Sequence, residues 1–286
     1  MANTKIEWTD KVWNPITGCS SVSEGCAHCY AARMAKRLAG RFGYPADEPF
    51  RVTFHSHERL MEPLGWKKPQ WVFVCSMGDF FHDGVQNWMR DSVMTVIASL
   101  PRHTFMLLTK RPGNAVRYFS RSGSRWSEGL PNVWMGVTAE NQARVDERIP
   151  ELLKLTKYFP VLFVSVEPAL GPNVLPEDFL ALGRRAWVIC GGESGLDARP
   201  MHPDWVRGLR GQCVSAGIPF FFKQWGEWIT VNEPDEDKSE YINKARCYWG
   251  DGKVAVRVGK KAAGRLLDGR EWNEFPSRIE RLTCSK

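Results

Sequence analysis

Six short apolar runs recur at intervals of 25 to 33 residues, and few folds accommodate that arrangement. They are Trp71-Val-Phe-Val-Cys75, Thr104-Phe-Met-Leu-Leu108, Asn132-Val-Trp-Met-Gly136, Val161-Leu-Phe-Val-Ser165, Ala186-Trp-Val-Ile-Cys190 and Pro219-Phe-Phe-Phe222. Runs of this length, rich in Val, Ile and Phe and without polar alternation, read as strands buried on both faces. Helical patterns fit between several of them. Val85–Leu100 is apolar at helical spacing and stops before Pro101, Gln142–Leu155 is charged on one side, and Asp204–Ala216 carries Trp205, Val206 and Leu209. One strand and one helix in about 30 residues is the strand–helix–strand unit. With a further strand expected around Val12–Thr17, the pattern predicts an α/β fold, a parallel (β/α) barrel that is partial or complete.

An open doubly wound sheet has the same period. The barrel is favoured because nearly every strand ends in a polar cluster, and barrel sites gather at that end. The clusters are Ser76-Met-Gly-Asp79, Thr109-Lys-Arg111, Val137-Thr-Ala-Glu-Asn141, Ser165-Val-Glu-Pro168, Gly191-Gly-Glu-Ser-Gly195 and Lys223-Gln-Trp-Gly226. Residues 1–226 then form the barrel, with an inserted excursion near 40–69. Residues 227–286 form a basic C-terminal extension packed on it.

Three cysteines, Cys19, Cys26 and Cys29, fall within eleven residues of a loop that precedes a helix-compatible stretch, Tyr30–Leu38. A structural zinc takes four ligands, and an iron–sulfur cluster is normally held by four thiolates. Three thiolates on a [4Fe-4S] cluster leave one iron open for another ligand. A loop before a helix N-terminus also offers backbone N–H groups to an anionic cluster. The competing reading is zinc completed by His28, which is cramped between Cys26 and Cys29. A disulfide is disfavoured, because the other cysteines (75, 190, 213, 247 and 284) are scattered and no leader-like apolar stretch follows the start. No apolar run approaches the ~18 residues of a membrane span. The expectation is a cytoplasmic protein with reduced thiols and no membrane partner.

The spacing C-x6-C-x2-C resembles the radical SAM superfamily, whose usual pattern is C-x3-C-x2-C on a loop after the first strand of an α/β barrel. Cys26 and Cys29 keep the second half of that pattern, and Cys19 departs by three residues. More closely, Ile6-Glu-Trp-Thr-Asp10, Trp13–Cys19, Trp187–Gly195, Phe222–Gly226 and Gly259–Arg270 resemble an uncharacterised phage and bacterial three-cysteine-motif family. The resemblance spans nearly the whole chain. It implies a [4Fe-4S] cluster on Cys19, Cys26 and Cys29, S-adenosylmethionine as second cofactor, and an electron donor such as a flavodoxin or ferredoxin.

On that basis Ser76, Gly78 and Asp79 are candidates for the methionine amino group, with Asp79 alternatively an N-cap. Thr109 closes the next strand, and Lys110 or Arg111 would pair with a carboxylate or with a substrate phosphate. Thr138, Glu140, Ser165 and Glu167 are candidates for ribose or substrate contacts. Gly191-Gly192-Glu193 permits close backbone approach or simply turns the chain. Cys75 and Cys190 would return a hydrogen atom to a product radical, or pack as small apolar groups.

The formal charge of +7 suits an anionic partner. Lys260, Lys261, Arg265 and Arg270 are the candidate nucleic-acid contacts, or else a solvated basic face. The leading expectation is therefore radical modification or repair of a nucleic acid or nucleotide. The alternative is a non-catalytic, metal-stabilised nucleic-acid-binding protein.

Overall fold

The computed structural model describes residues 4, 6–232 and 244–277. Cys284 and the stretches 233–243 and 278–286 of the extension lie outside the described residues. The strands are β1 (Lys11–Trp13), β2 (Ile16–Thr17), β3 (Thr53–Phe54), β4 (Trp71–Val74), β5 (Thr104–Thr109), β6 (Val133–Thr138), β7 (Val161–Val166), β8 (Ala186–Gly191), β9 (Phe220–Gln224), β10 (Trp228–Asn232), β11 (Arg246–Tyr248) and β12 (Lys253–Arg257). The helices are α1 (Tyr30–Arg37), α2 (His57–Met61), α3 (Asn87–Ser99), α4 (Pro112–Ser120), α5 (Gln142–Leu153), α6 (Glu177–Leu180), α7 (Pro203–Ser215) and α8 (Lys260–Ala263).

Seven strands form one parallel sheet in the order β1-β4-β5-β6-β7-β8-β9, curled into a half-barrel. The apolar runs are buried on both faces, completely so in β6, β7 and β8, because their two side-chain rows enter different cores. Phe105, Leu107, Val133, Met135, Val137, Leu162, Val164, Val188 and Phe222 meet the helices in the larger core. Met106, Trp134, Phe163, Trp187, Ile189 and Phe221 face the concave side with Trp8. Phe275 completes this aromatic plug, its ring centroid 4.6 Å from that of Trp71 and 5.3 Å from that of Trp187. The polar strand ends lie at the opposite, C-terminal mouth.

The early strand is split. β1 joins the sheet beside β4, whereas β2 pairs antiparallel with β3 from the 40–69 excursion. The extension contributes a separate antiparallel sheet, β10-β12-β11. It also supplies residues 272–274 to the open edge of β9. Phe222 N–H donates to the Trp272 carbonyl at 2.9 Å, and Glu274 N–H to the Phe220 carbonyl at 3.2 Å. This covers backbone groups that an exposed edge would otherwise present. Among the described residues no helix is long and apolar enough to cross a membrane.

Candidate metal centre

The cysteine loop leaves β2 through Gly18, which bridges in parallel to Gly78 at the end of β4. The close approach requires glycine on both sides. A Cβ on Gly78 would lie 2.8 Å from the Gly18 carbonyl oxygen, and Gly18 has φ +94°. The loop then crosses the C-terminal mouth before α1 begins at Tyr30. Cys19, Cys26 and Cys29 are all free thiols of intermediate exposure.

Cations from the end of β5 reach two of the sulfurs. Lys110 Nζ is 3.5 Å from Cys26 Sγ, and Arg111 Nη1 is 3.4 Å from Cys19 Sγ. Ser23 Oγ is 3.7 Å from Cys26 Sγ. Burial pushes the Cys26 thiol up, but the backbone at Val22, the Lys110 ammonium and Ser23 outweigh it, bringing it down from 9.0 to about 7. Burial, with Asp79 nearby, instead raises Cys19 to about 11 against the opposing pull of Arg111. Three sulfurs on one loop, two of them contacted by N–H donors, fit a thiophilic metal or an anionic metal–sulfide group.

Successive strand ends anchor the loop. Glu140, fully buried past β6, accepts from Ser23 Oγ and Lys110 Nζ at 2.5 Å each, and from Arg148 Nη1 at 2.9 Å. Burial would raise this carboxyl, but Lys110, Ser23 and Arg148 hold it below the ordinary value. Arg144 on α5 donates to both Glu24 oxygens, at 3.1 and 3.0 Å. Past β8, Glu193 Oε2 lies 3.1 Å from His28 Nδ1, and Arg199 Nη2 donates to Glu193 Oε1 at 2.7 Å. Arg111 Nη2 holds Ser20 through its carbonyl at 3.0 Å and its hydroxyl at 2.9 Å. The loop is thus fixed by β5, β6 and β8 together.

The remaining predicted residues divide by location. Asp79 accepts from Phe81 N–H, Thr109 Oγ1, Lys110 N–H and Arg111 Nη1, so its carboxylate is fully engaged in joining β4 to β5. It caps no helix, since Gln86 is the N-cap of α3. Ser76 Oγ donates to Asn14 Oδ1 at 3.2 Å. The Thr138 carbonyl accepts from Arg148 Nη1 at 2.8 Å. Ser165 donates to Glu167 at 3.2 Å, and Glu167 pairs with Lys223 of β9 at 2.8 Å. A Cβ on Gly191 would lie 3.0 Å from Glu167 Oε1, so the glycine makes room beside this pair. Gly192 packs against the Trp225 backbone, where a Cβ would overlap the carbonyl.

Cys75 and Cys190 do not line the concave side. Both belong to the core shared with the helices, at 3% and 1% exposure, and burial pushes both thiols up, Cys75 to about 12. Packing accounts for them. The basic tail also divides. Arg265 stacks over Phe221 and approaches Glu271, while Arg270 lies 3.4 Å above the Trp272 ring and pairs with Glu274 at 3.6 Å. Arg265 is thereby tied to the edge segment, whereas Arg270 remains 58% exposed on the surface. Lys260 and Lys261 are exposed, Lys260 being 3.9 Å from Glu7.

Sequence reasoning missed Ser23, Arg144, Arg148 and Arg199. The first is an ordinary loop serine, and the arginines read as helix or loop surface charge. Only the fold brings them beneath the cysteine loop.

These features define a parallel α/β half-barrel protein carrying a three-cysteine loop across the C-terminal mouth of its sheet. The chain belongs to the family described as protein of unknown function (DUF5131), whose model matches residues 3–276. No curated protein and no solved structure matches it.

Proposed function

We propose that this is a cytoplasmic radical SAM enzyme in which Cys19, Cys26 and Cys29 hold a [4Fe-4S] cluster, and which modifies or repairs a nucleic acid or nucleotide. The observation that carries the reading is the position of the cysteine loop: half-exposed thiols at the mouth, two of their sulfurs contacted by Lys110 and Arg111. The cluster, once bound, supplies reductive cleavage of S-adenosylmethionine to methionine and a 5′-deoxyadenosyl radical, using an electron from a donor such as a flavodoxin or ferredoxin.

The chain's own residues would bind, orient and exclude water. Lys110 and Arg111 stabilise thiolate charge, and Glu140 and Glu193 hold the loop over the mouth. Ser76, Thr138 and Gly191, at the strand ends, are the candidate contacts for S-adenosylmethionine, whereas Gly78 and Gly192 are packed against the backbones of Gly18 and Trp225. Ser165, Glu167 and Lys223 give the concave side hydrogen-bonding groups above the aromatic plug. With its lone pairs engaged, Asp79 is not assigned to the methionine amino group.

The test is anaerobic reconstitution with iron and sulfide, reduction, and assay for 5′-deoxyadenosine. Formation that needs all three cysteines supports the reading. One zinc per chain, with no 5′-deoxyadenosine, would replace it with a metal-stabilised nucleic-acid-binding protein.

A further inference from the structure

The helix that follows the cysteines has two unlike faces. Ala31, Met34, Ala35 and Leu38, at the i, i+3, i+4, i+7 spacing of a buried stripe, pack against Tyr44, Met77 and Phe50. The opposite face holds Tyr30, Arg33 and Arg37, at i, i+3 and i+7, with Lys36 beside them and Arg41 in the turn beyond. From Tyr30 to Arg37 this row is about 10 Å long, since each helical residue rises about 1.5 Å.

Two properties set this face apart. First, its cations are unneutralised. Among the described residues, Arg33, Lys36, Arg37 and Arg41 form no ion pair with a carboxylate. Arg33 donates to the Ser194 carbonyl, and Arg41 to the Arg37 carbonyl. Most other arginines around the mouth are matched, such as Arg144 with Glu24, Arg111 with Asp79 and Arg199 with Glu193. Second, an exposed aromatic ring stands at its N-terminal end: Tyr30, directly after Cys29, is 63% exposed. Phe42, 71% exposed, lies instead on the side of Leu38 and Tyr44.

We infer that this outer face of α1 binds single-stranded nucleic acid, with phosphates on Lys36, Arg37 and Arg41 and an unpaired base stacked on Tyr30. Basic side chains beside an exposed ring are how sequence-tolerant single-strand binding is built. A duplex hides its base faces and would use only the charges. The row ends at Cys29, so a strand lying on it leads to the candidate metal centre. The inference rests on the proposed function for what happens to the bound strand, and stands alone for the binding.

The experiment is fluorescence anisotropy of the full chain with a short labelled oligothymidylate across a salt series. Wild type should bind with a steep salt dependence. The combined variant Lys36→Glu, Arg37→Glu, Arg41→Glu should weaken binding by about tenfold or more and reduce the log–log salt slope by about 2, at about 0.7 per phosphate lost. Tyr30→Ala should cost about fivefold or more, and Tyr30→Phe should restore binding. These side chains project into solvent, so the variants should unfold at the wild-type temperature; Arg37→Glu alone is the fallback if the combined variant does not fold. Unchanged affinity and slope in the charge variants would overturn the inference. So would equal binding by Tyr30→Ala and Tyr30→Phe, or displacement of the strand by polyglutamate as readily as by unlabelled oligonucleotide, which would mark a face for an acidic protein. 5′-Deoxyadenosine formation is read separately, so loss of the enzymatic reading and loss of this interface are distinguishable.

Discussion

The Lys110 ammonium lies 3.5 Å from the Cys26 sulfur while also contacting buried Glu140 at 2.5 Å. One cation therefore serves a carboxyl held below its ordinary titration range and a thiol lowered to about 7. In metal-free protein, Cys26 should react with iodoacetamide along a pH profile centred near its lowered value of about 7, because the thiolate is the nucleophile. Lys110→Met should move that midpoint up by about one pH unit. Peptide mapping of the alkylated cysteines checks this, and a profile unmoved by the substitution would remove Lys110 as its cause.

Glu140→Gln should be among the most disruptive changes at the mouth. It leaves Arg148, fully buried, and Lys110 without their carboxylate partner. Removing one member of a buried ion network costs about 3–5 kcal/mol. Urea unfolding should show a loss of that order. A loss below about 1 kcal/mol would mean that water enters and solvates the two cations.

Gly25→Ala should act on the loop rather than on the fold. A Cβ at Gly25 would overlap the Glu140 carboxyl, which Lys110 and Arg148 hold in place. The loop must then lift. The expected outcome is near-normal thermal stability with strongly reduced iron retention after reconstitution, measured by iron and sulfide content. Full retention would show that the loop accommodates the displacement.

Acid should weaken the lead-in to the loop through His55. Its ring is buried against Thr17 at 2.8 Å, and burial, with Arg59 adding repulsion, lowers it from 6.5 to about 4. Between those values the unfolded chain binds a proton that the folded chain does not, so stability rises with pH. The contribution is complete above the unfolded value and is lost as pH falls toward 4. At about 1.4 kcal/mol per pH unit it corresponds to about 3 kcal/mol. Urea unfolding at successive pH values should show this slope, and His55→Gln should flatten it.

The sheet was readable because its strands are buried on both faces, which leaves unbroken apolar runs such as Val161–Val166 and Ala186–Gly191. Of the helices between them, α3, α5 and α7 announced themselves by period, whereas the shorter α4 and α6 did not. The strand expected around Val12–Thr17 is there but divided into β1 and β2, and β3 was not readable, since a two-residue strand carries no pattern. The edge segment at 272–274 was hidden too: it reads as polar tail and becomes a strand neighbour only where β9 lacks one. At the mouth, the cysteines and Glu140 stood out by type and position. Arg148 did not, because nothing local shows that a charged residue of α5 turns inward. Cys190 misled for the reverse reason. It lies at a strand end, but its place in the alternation turns it toward the helices, while its neighbour Gly191 sits beside Glu167 and Lys223.

The aromatic plug joins distant parts of the chain, for Trp8 and Phe275 both pack on Trp187. During synthesis, β1 to β9 can pair as each helix returns the chain to the sheet. The concave side nevertheless stays open to water until residue 275 has left the ribosome. A polypeptide stopped short of that point would carry a nearly finished sheet with a wet, tryptophan-lined hollow and a bare β9 edge. Both are sticky surfaces, and the short stretch 272–275 closes the two at once.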